Sequence, residues 1–162
     1  MQAINISTNL KEIEIVRDGA KVGIIRFAPT DPALLARLRA LRETAKNIHI
    51  EPSGDIDRLL DECARIDAEL RAALDKAFDQ PVSDIVFGTG FSFATANGVS
   101  ALEQFINGAV AIIGDELVKE NTAVQAHTAE AMKAASKSER VSKYTKKYQN
   151  KPDTPETIKG DE

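Results

Sequence analysis

The sequence predicts an α+β, mostly helical protein: a small N-terminal antiparallel β-hairpin or sheet, then a helical bundle with a long C-terminal helix. Three observations carry that expectation. Two runs rich in β-branched residues flank Asp18-Gly19, and glycine accepts the positive φ that a tight primed turn demands. Two stretches, starting near residues 32 and 56, space their apolar side chains by three and four. A third starts near residue 100 and keeps helical character to about residue 149. With 162 residues, 43% of them hydrophobic, the chain is long enough to bury a core of its own.

In chain order, residues 1–28 form the hairpin region. Glu12, Ile13, Glu14, Ile15 and Val16 alternate before the turn, the run from Val22 to Phe27 follows it, and Ile4 and Ile6 are placed to supply a third strand. Residues 29–132 are read as the helical core. Thr30 or Asp31 caps its first helix, Pro32 sits in the first turn, and Leu34, Leu35, Leu38 and Leu41 share a face, with Arg37, Arg39 and Arg42 expected in solvent. A second helix runs to about Phe78. Its seam is Ile56, Leu59, Cys63, Ile66, Leu70, Ala73 and Ala77, widened by Leu60 and Leu74, and Cys63 is expected to be buried there as a small apolar residue. The acids Asp55, Asp57, Asp61, Glu62, Asp67 and Glu69 fall where solvent-facing residues belong.

Residues 84–98 are the connecting segment that reads least like its surroundings. They hold Gly88, Gly90 and Gly98 together with three of the six phenylalanines, Phe87, Phe91 and Phe93. Glycines permit tight or left-handed turns, and each ring brings a large apolar area that must be covered. Phe91 and Phe93 share a face if the chain from Gly90 to Ala94 is extended. The segment fits either a plug into its own helical core or a clip onto a neighbouring subunit. From Ser100, expected as the cap with Glu103 three residues on, the third helix carries Leu102, Phe105, Ile106, Ala109, Val110, Ile113, Leu117 and Val118 as a broad apolar stripe.

The net charge of −4 conceals a polarity. Residues 133–151 hold seven basic residues against one acid, so an acidic body is followed by a basic helical arm, and residues 152–162 are expected to be a disordered acidic tail. The arm can be a solvated helix or a docking element, and nucleic acid ranks below protein as its partner.

Chemistry is sparse. A single cysteine excludes an internal disulfide and a cysteine zinc site. His49 and His127 have no metal-ligand spacing, and the carboxylates lie on wet faces where general acid–base pairs do not form. Gly88-Thr89-Gly90-Phe91-Ser92-Phe93 lacks the third glycine of a dinucleotide fingerprint and the lysine of a phosphate loop, and no lysine or arginine occurs between Lys76 and Lys119. A non-enzymatic protein without cofactor or metal is expected. No apolar run nears the roughly 20 residues that span a bilayer, and the first residues lack the basic-then-apolar order of a signal peptide, so a cytoplasmic protein without membrane contact is expected.

Asp84-Ile85-Val86-Phe87-Gly88-Thr89-Gly90, the Asn97-Gly98 turn and the helix carrying Leu102, Glu103, Gln104 and Phe105 resemble the core signature of tail assembly chaperones of long-tailed phages and prophages of Gram-positive bacteria. An N-terminal β segment, an acidic amphipathic helix before the motif and the lysine- and tyrosine-rich stretch ending at Tyr148 agree with it. The resemblance implies a protein of the infected or lysogenic host cytoplasm. It would bind the tape measure protein, keep it soluble and assist recruitment of tail tube subunits, with self-association expected. The candidate protein-binding residues are Phe87, Phe91, Phe93 and Phe105, the seam residues Ile56, Leu59, Ile66 and Leu70, and Lys143, Tyr144, Lys146, Lys147 and Tyr148 of the arm. The competing reading is a nucleic-acid-binding or structural virion protein acting through that basic arm.

Overall fold

Strands β1 (Lys11–Arg17) and β2 (Ala20–Phe27) form a two-stranded antiparallel sheet. They are followed by helices α1 (Pro32–Lys46), α2 (Ile56–Phe78) and α3 (Val82–Phe87), a two-residue pair β3 (Thr95–Ala96) and β4 (Val99–Ser100), and the 49-residue helix α4 (Ala101–Gln149). The computed structural model describes residues 1–149, with side-chain surroundings given as far as Thr145. The α+β, mostly helical class expected from the sequence is the one observed. The chain divides into two units, Met1–Glu120 and Asn121–Glu162, so the division falls within α4. The expected tail, residues 152–162, and Lys151 of the basic arm lie outside the described residues.

The hairpin turns at Asp18 and Gly19, both with positive φ (52° and 79°), the backbone of a primed two-residue turn whose twist matches its strands. Ile13 faces Ile25 and Ile15 faces Gly23, but Val16 faces Lys21, so Val22 is the extra residue of a β-bulge. Ile25 and Phe27 are buried and Ile13 and Ile15 are half-buried on the inner face, while Glu12 pairs with Arg26 (2.6 Å) on the outer one. The third strand expected from Ile4 and Ile6 is not formed: both side chains are exposed, at 90% and 82%. Asn9 has a positive φ of 53°, which breaks the extended path of the chain just before β1.

Asp31 caps α1 by accepting the Ala33 N–H (2.9 Å), with Pro32 in the first turn where its missing donor costs nothing. Leu34, Leu38 and Leu41 are buried as expected and Leu35 is half-buried. Arg37, expected in solvent, donates to the Ala77 carbonyl (2.8 Å), which ties α1 to the last turn of α2. Asp55 caps α2. The α2 seam is covered only in its second half: Ile66, Leu70, Leu74 and Ala77 are buried, Leu59 and Cys63 are half-buried, and Ile56, Leu60 and Ala73 are exposed. The expectation of a buried Cys63 is corrected accordingly, because the core cluster on α2 begins at Ile66.

Residues 84–87, expected to belong to a connecting segment, form the last part of helix α3. Six residues suffice because both neighbours support them. Asp75 of α2 accepts from the Ser83 N–H (2.7 Å) and hydroxyl (2.9 Å), and Val82, Val86 and Phe87 are buried. Leu102, Ile106, Ala109 and Ile113 of α4 complete the core, and Lys11 pairs with Glu116 (2.6 Å) to hold β1 against the same helix. Val118, expected on the apolar stripe, is exposed. In the second unit every described side chain from Asn121 to Thr145 is exposed, Val124, Met132, Val141 and Tyr144 included.

Candidate functional site

The candidate site is the phenylalanine- and glycine-rich segment between α3 and α4, and its geometry follows from a carboxylate on α2. Asp67, expected on a wet helix face, is 8% exposed. Its Oδ1 accepts the Ser92 N–H (2.5 Å) and its Oδ2 accepts Arg71 Nε (2.6 Å). Burial pushes the Asp67 carboxyl up, but the Ser92 donation and the Arg71 guanidinium outweigh it and hold the group below the usual aspartate value. Arg71 then reaches on to the segment's backbone, donating to the carbonyls of Gly88 (2.9 Å) and Gly90 (2.5 Å), with its guanidinium over the Phe87 ring at 5.3 Å from the centroid. Arg17 of β1 donates to the Val86 carbonyl (3.3 Å).

The long gap in positive charge along the sequence therefore does not exist in space. Two arginines from distant elements converge there, Arg71 on the segment's carbonyls and Arg17 on a carbonyl of the last turn of α3. Gly88 marks the tightest point. Its φ of 57° and ψ of −127° suit only glycine, and a Cβ there would lie 2.7 Å from the Arg17 guanidinium.

Beyond Gly90 the chain is not extended but makes a turn in which the Ala94 N–H donates to the Phe91 carbonyl (3.1 Å). The turn wins because the Ser92 N–H is bound inward by Asp67, while the Ser92 carbonyl accepts the Leu102 N–H (2.8 Å) at the start of α4. Phe91 and Phe93 still come together, stacked with centroids 5.2 Å apart and planes 8° from parallel. Phe91 is 38% exposed and Phe93 is half-buried, lining a pocket of about 290 Å³ with Ile48, His49, Ile50 and Leu70. The Asn97-Gly98 turn, with φ of 53° and 81°, closes β3 against β4, and the Ser100 hydroxyl accepts the Glu103 N–H (3.2 Å) as the sequence leads one to expect.

The remaining candidate residues are dispersed. Phe87, Ile66 and Leu70 lie in the core, and Phe105 packs on Phe78 (centroids 5.6 Å apart). Ile56 is exposed and Leu59 half-buried on the first turns of α2. Lys143 and Tyr144 are exposed on α4, and Lys146, Lys147 and Tyr148 belong to the same helix, their side chains outside the described residues. Sequence reasoning missed Asp67, Arg71 and Asp75. The four-residue spacing of Asp67 and Arg71 was legible, but it reads equally well as a surface ion pair. Among the described residues no group of three metal-ligating side chains occurs, and no helix is long and apolar enough to cross a membrane. Comparison with family models, curated proteins and solved structures finds no match to this chain.

Proposed function

We propose that this chain is a binding protein of phage tail assembly, a chaperone that holds apolar segments of the tape measure protein and presents the complex to tail tube subunits. The observation that carries the reading is the stacked Phe91–Phe93 pair, an aromatic surface on a backbone held by Asp67 and Arg71. A rigid aromatic pair offers apolar contact area with little side-chain entropy left to lose on binding. The pocket beside Phe93 and the uncovered Ile56 and Leu60 add apolar surface of the kind an apolar helical client needs.

Co-expression with the tape measure protein of the same phage or prophage tests this. The client is expected to be recovered with the chain in soluble form. Phe91→Ser with Phe93→Ser is expected to cut that recovery at least about tenfold, since loss of two apolar anchors weakens binding by more than one order of magnitude. An unchanged circular dichroism spectrum shows that the variant still folds. Failure of the wild-type chain to recover or solubilise the client overturns the proposal.

The exposed Lys133, Lys137, Arg140 and Lys143 favour a second reading, nucleic-acid or virion binding through α4. Affinity for nucleic acid would then fall steeply with salt and vanish on truncation after Met132.

A further inference from the structure

A two-stranded sheet has two edges, and they are treated differently here. The outer edge of β2 is closed at Arg26, whose N–H donates to Gln80 Oε1 (3.3 Å) and whose carbonyl accepts from Gln80 Nε2. Since Arg26 turns both backbone groups outward, its pairing with Glu12 is of the non-hydrogen-bonded kind. Glu12 and Glu14 therefore direct their own N–H and carbonyl groups to the outer edge of β1. Among the described residues no hydrogen bond is made along that edge.

Beside β1, a cleft of about 410 Å³ runs between the sheet's inner face and the first turns of α4. Its apolar wall is formed by Ile13, Ile15, Phe105 and Ile112. The segment that precedes β1 carries the complement of both features. Residues 2–10 have no charge and place Ile4, Ile6 and Leu10 at even positions, the two-residue period of a strand, and all three side chains are exposed.

We infer that β1 receives residues 3–8 of a second copy of this chain as a third, antiparallel strand, and that the exchange is reciprocal, so that two copies form a two-fold dimer. In the register that sets Ile6 against Ile13 and Ile4 against Ile15, both donated isoleucines lie on the cleft face. Asn5 and Ser7 then fall opposite Glu14 and Glu12, where their backbones meet the unpaired groups of the edge and their side chains can donate to the glutamates.

Within one chain this pairing is not made: Ile4 and Ile6 stay exposed, the sheet holds β1 and β2 alone, and Asn9, with φ of 53°, breaks the extended path before β1. This contact is independent of what Phe91 and Phe93 bind.

Light scattering after size exclusion on the full chain is expected to give a dimer at micromolar concentration. Ile4→Asn with Ile6→Asn is expected to raise the dimer dissociation constant about tenfold or more, with the thermal midpoint of the monomer unchanged because both side chains are exposed in a single chain. Pairing is read directly in a Cys63→Ser background by combining Ile6→Cys with Ile13→Cys and oxidising with oxidised glutathione. A disulfide between copies supports the exchange. A disulfide within one chain, or none, overturns it, as does a wild-type chain that stays monomeric or an Ile4, Ile6 variant that dimerises as tightly as wild type.

Discussion

Asp67 joins the candidate site to α2. It sits at the base of the Phe91–Phe93 turn, accepts a backbone donor from that turn, and holds the arginine that binds two of the segment's carbonyls. Replacing Asp67 strands what it accepted from: Asp67→Ala leaves the Ser92 N–H and Arg71 Nε without their acceptor and removes the charge that neutralises the guanidinium. The expected loss is about 3 kcal/mol in urea unfolding, the scale for breaking a largely buried pair. The sign of the pH dependence follows from the depressed carboxyl. Its folded value lies below its unfolded value, so the stabilisation is fully present above about pH 4 and is lost as pH falls through the folded value. Unfolding midpoints measured from about pH 6 down to about pH 2 should drop more steeply for wild type than for Asp67→Asn, which cannot titrate there. A matching slope in the two proteins would remove Asp67 from the acid response. The pair was legible in the sequence but its burial was not, since an aspartate four residues before an arginine on a charged helix looks like any solvated pair. Only the arrival of the Ser92 backbone makes it a buried one.

At the scale of elements, the approach of α3 to the sheet is set by Gly23. A Cβ at that position would lie 2.6 Å from Cγ2 of Ile85, a methyl on a β-branched side chain with little freedom to move. Gly23→Ala is therefore expected to push α3 off the hairpin and cost about 1–3 kcal/mol, the range for overpacked sites, measured by denaturant unfolding. Much at this scale could be read beforehand. The Asp18-Gly19 and Asn97-Gly98 turns, the Asp31-Pro32 start of α1 and the apolar faces of α1 and of the early part of α4 rest on local backbone chemistry, and they occur where that chemistry places them. Helix α3 could not be read in the same way. It is too short for periodicity to show, and its first turn is capped by a side chain of another helix, Asp75. The α2 seam was legible as a stripe, but how far the core would cover it was not: Ile56 and Ile66 have the same character in sequence, and only the packing separates them.

For the molecule as a whole, helix α4 belongs to two regimes. Leu102, Ile106, Ala109 and Ile113 are buried, whereas every described residue from Asn121 to Thr145 is exposed. A helix without tertiary burial rests on its intrinsic propensity and its i, i+4 neighbours. Hydrogen exchange should therefore separate the two stretches. Amides between Leu102 and Ile113 are expected to exchange only on global unfolding, and those beyond Asn121 orders of magnitude faster, through local opening. Uniform protection along α4 would mean that the second stretch is covered in solution, by a second copy or a client. The sequence by itself determined the α+β class, the hairpin, the order of the long helices and the charge difference between body and arm, because these depend on near-neighbour spacing and turn chemistry. The tertiary structure alone decided that Asp67 is buried, that Arg17 and Arg71 meet at the Phe/Gly segment, and that the β1 edge faces an apolar cleft. Each of these joins residues far apart in the chain, and local patterns carry no information about which distant groups will meet.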